Sequence, residues 1–143
     1  MSSFEFTLDP RLAADCHLLG TFNGAELLLM NNAHFPWFIL VPHTEHTEFY
    51  ELGRTDQQAL LSSINALSTF LKQELASEKL NIATIGNIVK QLHIHIVGRT
   101  QSDACWPGVV WGTRHRIEYA VADVARIRQS LSDNLGDAFT PAH

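Results

Sequence analysis

The chain has 143 residues, 45% of them hydrophobic and 17% charged, a composition that fits one globular domain (residues 1–143) with a single core. Fifteen acidic residues against ten basic ones give a net charge of −5, which argues against a nucleic-acid-binding surface but not against a local cradle for one phosphate. No apolar run reaches the about 20 residues that cross a bilayer, the N-terminus lacks a secretion signal's basic start and apolar stretch, and two distant cysteines, Cys16 and Cys105, suggest no disulfide framework. These features predict a cytoplasmic protein with free thiols and no membrane partner.

Residues 9–16 predict a short helix opened by Asp9, with Pro10 at its first position. His17-Leu18-Leu19-Gly20-Thr21-Phe22 and Glu26-Leu27-Leu28-Leu29-Met30 flank Asn23-Gly24, a strong hairpin signal. Trp37-Phe38-Ile39-Leu40-Val41 is continuously apolar and ends at Pro42, as a central strand buried on both faces would. Thr55-Asp56-Gln57-Gln58 reads as a capping box, with Thr55 as N-cap, for a helix running to Ala76. Leu60, Ile64, Leu67, Leu71 and Leu75 form its apolar stripe, and Leu61 and Phe70 widen that stripe beyond what one sheet face covers. Residues 80–85 predict another strand, residues 121–135 a helix stopped by Gly136, and the tail to His143 a loose end. Hairpin-linked strands, a long helix, then two more strands predict an α+β domain with a mainly antiparallel sheet.

The segment Gly86-Asn87-Ile88-Val89-Lys90-Gln91-Leu92-His93-Ile94-His95-Ile96-Val97-Gly98-Arg99 carries the chemistry. Read as one strand, it turns Leu92, Ile94 and Ile96 to one face and Gln91, His93 and His95 to the other. The two imidazoles then stand about 6–7 Å apart on a rigid platform and can address one ligand. Three readings of the pair are open. The first is a half-exposed strand with two polar residues. The second is a metal-dependent hydrolase, completed by ligands from among His34, His43, His46 and His115, although no Cys-x-x-Cys or His-Glu-x-x-His companion is present. The third is covalent phosphoryl or nucleotidyl transfer, because a neutral imidazole attacks phosphorus well and splits one hard displacement into two.

The segment resembles the signature of the histidine triad (HIT) family, in which three histidines alternate with apolar residues; the first position here is Gln91. Upstream, Gly86 to Lys90 is similar to the Gly-Gln-Thr-Val-Lys approach of the family's fragile-histidine-triad branch. Pro36-Trp37, Gln91-Leu92-His93 and Trp106-Pro107 resemble a bacterial branch. The resemblance implies a five-stranded antiparallel sheet with one long helix and a C-terminal helix, in a homodimer that joins two sheets into ten strands with the long helices, here Thr55 to Ala76, at the interface. It implies that His93 attacks the α-phosphate and that His95 bonds the phosphate and leaving-group side. Asn87 falls where the family usually has a phosphate-binding Gln, and Ile88 where it has a hydroxyl. Gly86 lets the backbone approach a phosphate. Gln91 and Trp37 occupy the positions of two histidines that touch behind the nucleophile, so both members of that supporting pair are replaced. Asn31 falls where an Asp binds the ribose, Asn81 near the same site, and Trp106 where a Trp reaches the partner's site; an aromatic anchor is the other reading of Trp106. Arg99, Arg114, Arg116 and Lys90 supply nearby positive charge, while His43 and His46 read as surface residues. No cofactor and no metal is implied. The implied substrates are nucleoside phosphates, dinucleoside polyphosphates or nucleoside phosphoramidates; a nucleotide-binding module with weakened catalysis is the alternative.

Overall fold

The structure is a computed structural model that describes residues 4–143; Met1–Ser3, the start of the segment read for a secretion signal, lie outside the described residues. Helix α1 (Pro10–Asp15) forms as its sequence dictates: the Asp9 carboxylate accepts from the Arg11 amide at 2.8 Å, and Pro10 sacrifices no bonded amide at the first position. Strands β1 (Cys16–Phe22) and β2 (Ala25–Met30) pair across Asn23 and Gly24, whose φ angles of 49° and 80° match the right-handed twist of a two-residue hairpin. The Asn23 amide also donates to the Ser63 hydroxyl at 2.9 Å, tying the turn to the long helix. Strand β3 (Trp37–Pro42) follows, then helix α2 (Arg54–Gln73), strands β4 (Lys79–Ala83) and β5 (Ile94–Arg99), helix α3 (Val121–Leu135) and strand β6 (Phe139–Pro141). The sheet is antiparallel throughout, in the order β4-β5-β3-β2-β1-β6.

Both faces of this sheet are covered, which explains the unbroken apolar run of β3. Phe38 and Leu40 join Leu27, Leu29, Ile94 and Ile96 under Leu60, Leu67, Phe70 and Leu71 of α2 and Val124 and Leu131 of α3. Trp37, Ile39 and Val41 point the other way, into a smaller cluster with Leu12 of α1, Phe35, Val97 and Val110. No described helix is long and apolar enough to cross a membrane.

Three expectations change. The sheet has six strands, because the tail is not loose: Phe139, Thr140 and Pro141 pair with Phe22, Thr21 and Gly20, and Phe139 is buried. Gly20 permits this, since a Cβ there would lie 2.2 Å from the Thr140 carbonyl oxygen. The capping box at Thr55 does not form. The helix opens at Arg54, Gly53 accepts the Gln57 amide, and the Gln57 side chain turns back to the Leu52 carbonyl at 2.8 Å. Lastly, Leu60, Leu67, Phe70 and Leu71 are all buried within the chain, so the apolar surplus read on α2 reduces to Leu61, 54% exposed.

Arg99, at the end of β5, is 1% exposed and forms a two-point ion pair with Asp103, at 2.8 and 3.0 Å. Its remaining amino group donates to Asn81 at 2.9 Å, and its guanidinium lies over the rings of Phe35 and Trp106. Burial pushes the Asp103 carboxyl up, but the Arg99 hydrogen bond, the Thr100 and Cys105 amides and the Arg99 charge together hold it below its ordinary value. Removing one partner strands a buried charge. Asp103→Ala should therefore cost about 3–5 kcal/mol in urea unfolding; a loss under about 1 kcal/mol would show that Arg99 finds water instead.

Candidate active site

The alternation read from the sequence holds, although pairing begins only at Ile94 and residues 91–93 lead into β5 unpaired. Leu92, Ile94 and Ile96 enter the helix-side core, while His93 and His95 emerge opposite, 6% and 5% exposed. Imidazoles so buried need partners for their ring nitrogens, and those partners define the site.

The Nδ1 of His93 lies 2.6 Å from the Gln91 carbonyl oxygen. A carbonyl only accepts, so Nδ1 carries the proton and Nε2 presents a lone pair. The Nδ1 of His95 lies 2.9 Å from the Trp37 indole nitrogen. An indole only donates, so Nδ1 accepts and Nε2 carries the proton. The two rings, 5.0 Å apart between centroids and inclined at 68°, therefore use Nδ1 in opposite senses, as a donor in His93 and as an acceptor in His95. Trp111 sets its ring edge-on to His95 at 5.4 Å. Burial first, and the neighbouring His93 second, push the pKa of His95 from 6.5 down to about 4.

Both imidazoles face a cleft of about 310 Å³. Helix α1 supplies Arg11, Leu12 and Asp15 to one wall, and β2 and β3 supply Met30 and Ile39. The loop from Ile85 through Val89 brings Gly86 and Asn87 over the histidines, with Gly86 at φ 67°. A second cavity of about 280 Å³ meets His93 from beside Lys90 and Gln91.

The residues singled out from the sequence divide accordingly. His93, His95, Gly86 and Asn87 are together in the cleft. The Gln91 side chain turns away from the histidines: its oxygen accepts from the Asp9 amide at 2.8 Å and its amide donates to the Thr7 carbonyl at 2.9 Å. Only its backbone carbonyl serves His93, so Gln91 is a positioning residue that also anchors α1 over the cleft. Asn31 accepts the Tyr119 amide on its side-chain oxygen at 2.9 Å and donates its backbone N–H to the Asp15 carbonyl, which ties chain segments together outside the cleft. Asn81 belongs to the Arg99 cluster, as does Trp106, which in this chain is an aromatic anchor. Arg11, Asp15 and Trp111 were not legible as site residues, since nothing local ties them to the histidine segment.

The sequence pattern of the HIT domain matches residues 11–102. The chain belongs to the histidine triad family. No curated protein matches it in sequence, but solved structures do. A histidine triad protein from Marinobacter aquaeolei VT8 is 41% identical, with 91% of this chain and 96% of that one covered and a TM-score of 0.86. One from Sinorhizobium meliloti 1021 is 37% identical over 90% and 96%, at 0.86, and one from Bradyrhizobium japonicum 32% identical over 92% and 98%, at 0.87. Within the family frame, Gln91 and Trp37 do not act as one supporting pair. Gln91 serves His93 through its backbone, and Trp37 serves His95 through its indole. Among the described residues no group of three or more His, Cys, Asp or Glu side chains stands at metal-ligand spacing. His34 and His115 meet edge to face instead, and His43 stacks on Phe6. Cys16 is no competing nucleophile, because burial, then Asp15, push its thiol up to about 12.

Because His95 is buried neutral, its contribution to stability is complete above its unfolded pKa of 6.5. It is lost as pH falls through that value towards about 4, a span equivalent to about 3 kcal/mol. Urea unfolding at pH 7 and pH 4.5 should show a loss in the wild type that exceeds the loss in His95→Gln by about 2–3 kcal/mol. Equal losses would mean that His95 is free to charge in the folded protein.

Proposed function

We propose that this protein hydrolyses nucleoside phosphate derivatives, dinucleoside polyphosphates or phosphoramidates among them, by passing a nucleoside monophosphoryl group through His93. The observation that carries the reading is the opposed tautomers: a lone pair on Nε2 of His93 beside an N–H on Nε2 of His95, both facing one cleft. The Nε2 lone pair forms a bond to the α-phosphorus while the bond to the leaving group breaks, giving a phosphorylated imidazolium. The Gln91 carbonyl, already accepting from Nδ1, stabilises that cation at 2.6 Å. Water then attacks the phosphorus, the P–N bond breaks, the electron pair returns to Nε2, and the water's proton passes to solvent.

The Asn87 amide and the backbone at Gly86 are suited to bind the phosphate oxygens, and Arg11 adds positive charge at the same cleft. Leu12, Met30, Ile39 and Ile85 offer apolar surface for a base, which supports a nucleotide as substrate. The net charge of −5 supports a small nucleotide over a nucleic acid, and two free thiols support a cytoplasmic setting. His93→Ala should remove turnover by several orders of magnitude without unfolding the chain, and Asn87→Ala should cost about 10²-fold. Mixing wild type with adenylated substrates and reading intact mass should reveal a nucleotidyl adduct that His93→Ala lacks. Unchanged hydrolysis by His93→Ala would end the reading, and nucleotide binding without turnover in the wild type would favour the binding module.

We further propose a homodimer across the β4 edge, where Ile82 is 48% exposed, with Leu61 of α2 contributing. Trp106 lies on this side of the sheet through Arg99 and Asn81, which supports its approach to a partner's site. Sedimentation at micromolar concentration should give a dimer. A fully active monomer would remove both the dimer and the shared role of Trp106.

A further inference from the structure

We propose that Trp37 holds His95 as a neutral Nε2–H donor that cannot act as an acid, and that the site therefore favours leaving groups departing as phosphate anions over amines. The inference rests on the nucleotidyl-transfer reading above and adds the class of leaving group.

The geometry on the far side of His95 decides it. Its Nδ1 accepts the Trp37 indole N–H at 2.9 Å, and an indole has no acceptor with which to take up, or relay, a proton. Protonating Nδ1 would break that bond and press two N–H groups together between aromatic walls. Trp37 lies 5.8 Å and Trp111 5.4 Å from the His95 ring, both inclined to it, and Trp37 is 5% exposed. The depressed basicity of His95 agrees with this. The other titratable or charged groups lining the cleft are His93, whose Nδ1 proton is committed to the Gln91 carbonyl, and Arg11 and Asp15 on α1; β3 brings Ile39 to the cleft and Trp37 against His95.

The two leaving groups make different demands. When the bond from the α-phosphorus to a bridging oxygen breaks, the electron pair stays on oxygen. The group leaves as the terminal oxygen of a phosphate or polyphosphate anion, and a hydrogen bond from the Nε2–H of His95 is enough to stabilise it. When a P–N bond breaks, the pair stays on nitrogen, which must gain a proton to leave as an amine. Were His95 to give up its Nε2 proton, it would become an imidazolate, with no route by which Nδ1 could regain one from Trp37. A histidine at position 37 would have a second ring nitrogen able to carry that proton.

Two measurements on the full chain test this. The first is ring ¹⁵N NMR of His95 between pH 5.5 and 8. The wild type should show the Nε2–H tautomer throughout, and Trp37→Phe should admit the Nδ1–H form. The second compares kcat/KM for a dinucleoside polyphosphate and a nucleoside phosphoramidate of the same base. The wild type should favour the polyphosphate by about 10²-fold or more, the range that general acid catalysis commonly contributes, and Trp37→His should narrow that ratio. An imidazolium or an Nδ1–H tautomer at neutral pH in the wild type overturns the proposal, as does equal turnover of the two substrates. Turnover of neither substrate, with the Nε2–H tautomer present, overturns the nucleotidyl-transfer reading and the leaving-group preference with it, while the role of Trp37 towards His95 stands.

Discussion

Burying two imidazoles in a sheet that is covered on both faces is the constraint on which the site depends. Strands β3 and β5 pair at its centre, with Ile39 opposite His95, and both imidazoles are buried at the floor of the cleft. A buried polar nitrogen without a partner costs about 1–3 kcal/mol, so the surroundings of β5 must supply one acceptor and one donor. They come from different places: a carbonyl two residues upstream for His93, and an indole on the neighbouring strand for His95. The requirement for satisfied hydrogen bonds thus sets which Nδ1 donates and which accepts, and the proposed roles of the two rings follow from that. Stability and chemistry are here one arrangement seen at two levels.

The segment carrying the histidines is held at both ends. Upstream, the Gln91 amide group bridges Thr7 and Asp9, and Asp9 in turn caps α1, so one side chain fixes both the approach to β5 and the wall bearing Arg11 and Asp15. Downstream, buried Arg99 gathers Asp103, Asn81, Phe35 and Trp106. Asp103 also accepts from the Thr100, Cys105 and Trp106 amides, which gives the loop after β5 a defined shape on its way to Trp111. Catalytic geometry tolerates little misplacement, and a strand pinned at each end moves its side chains little.

Local signals made much of the fold legible. Asn23-Gly24, Asp9-Pro10 and Gly136 each act within a turn of chain, and each boundary falls where the sequence puts it. The capping box at Thr55 misled because Gly53, with no side chain, already supplies an extended residue and a free carbonyl two residues earlier. Strand β6 was hidden because three residues carry no periodicity, and its pairing depends on Gly20, more than a hundred positions away. The same distinction runs through the site. Period-two alternation exposed His93 and His95, whereas Gln91, Asn31 and Asn81 read only as available amides. Their partners lie 82, 88 and 18 positions away, beyond the reach of any local signal.

The departures from the family pattern at Gln91 and Trp37 are consequently independent. If Gln91 and Trp37 touched, each substitution would compensate for the other, and the pair would say little about chemistry. They instead serve different rings through different atoms, a backbone carbonyl in one case and an indole N–H in the other. The carbonyl of residue 91 is indifferent to its side chain, so that position is free to clamp the N-terminal segment without altering His93. Position 37 has no such freedom, because its side chain is the partner of His95. A histidine there could donate, accept or pass on a proton, whereas tryptophan can only donate. Replacing two titratable rings by an amide and an indole leaves His93 and His95 as the only imidazoles lining the cleft, and one of them is held neutral. On the proposed reaction, His95 then serves as a hydrogen-bond donor only, so it is the leaving group, more than the nucleoside, that would register the exchange of histidine for tryptophan at position 37.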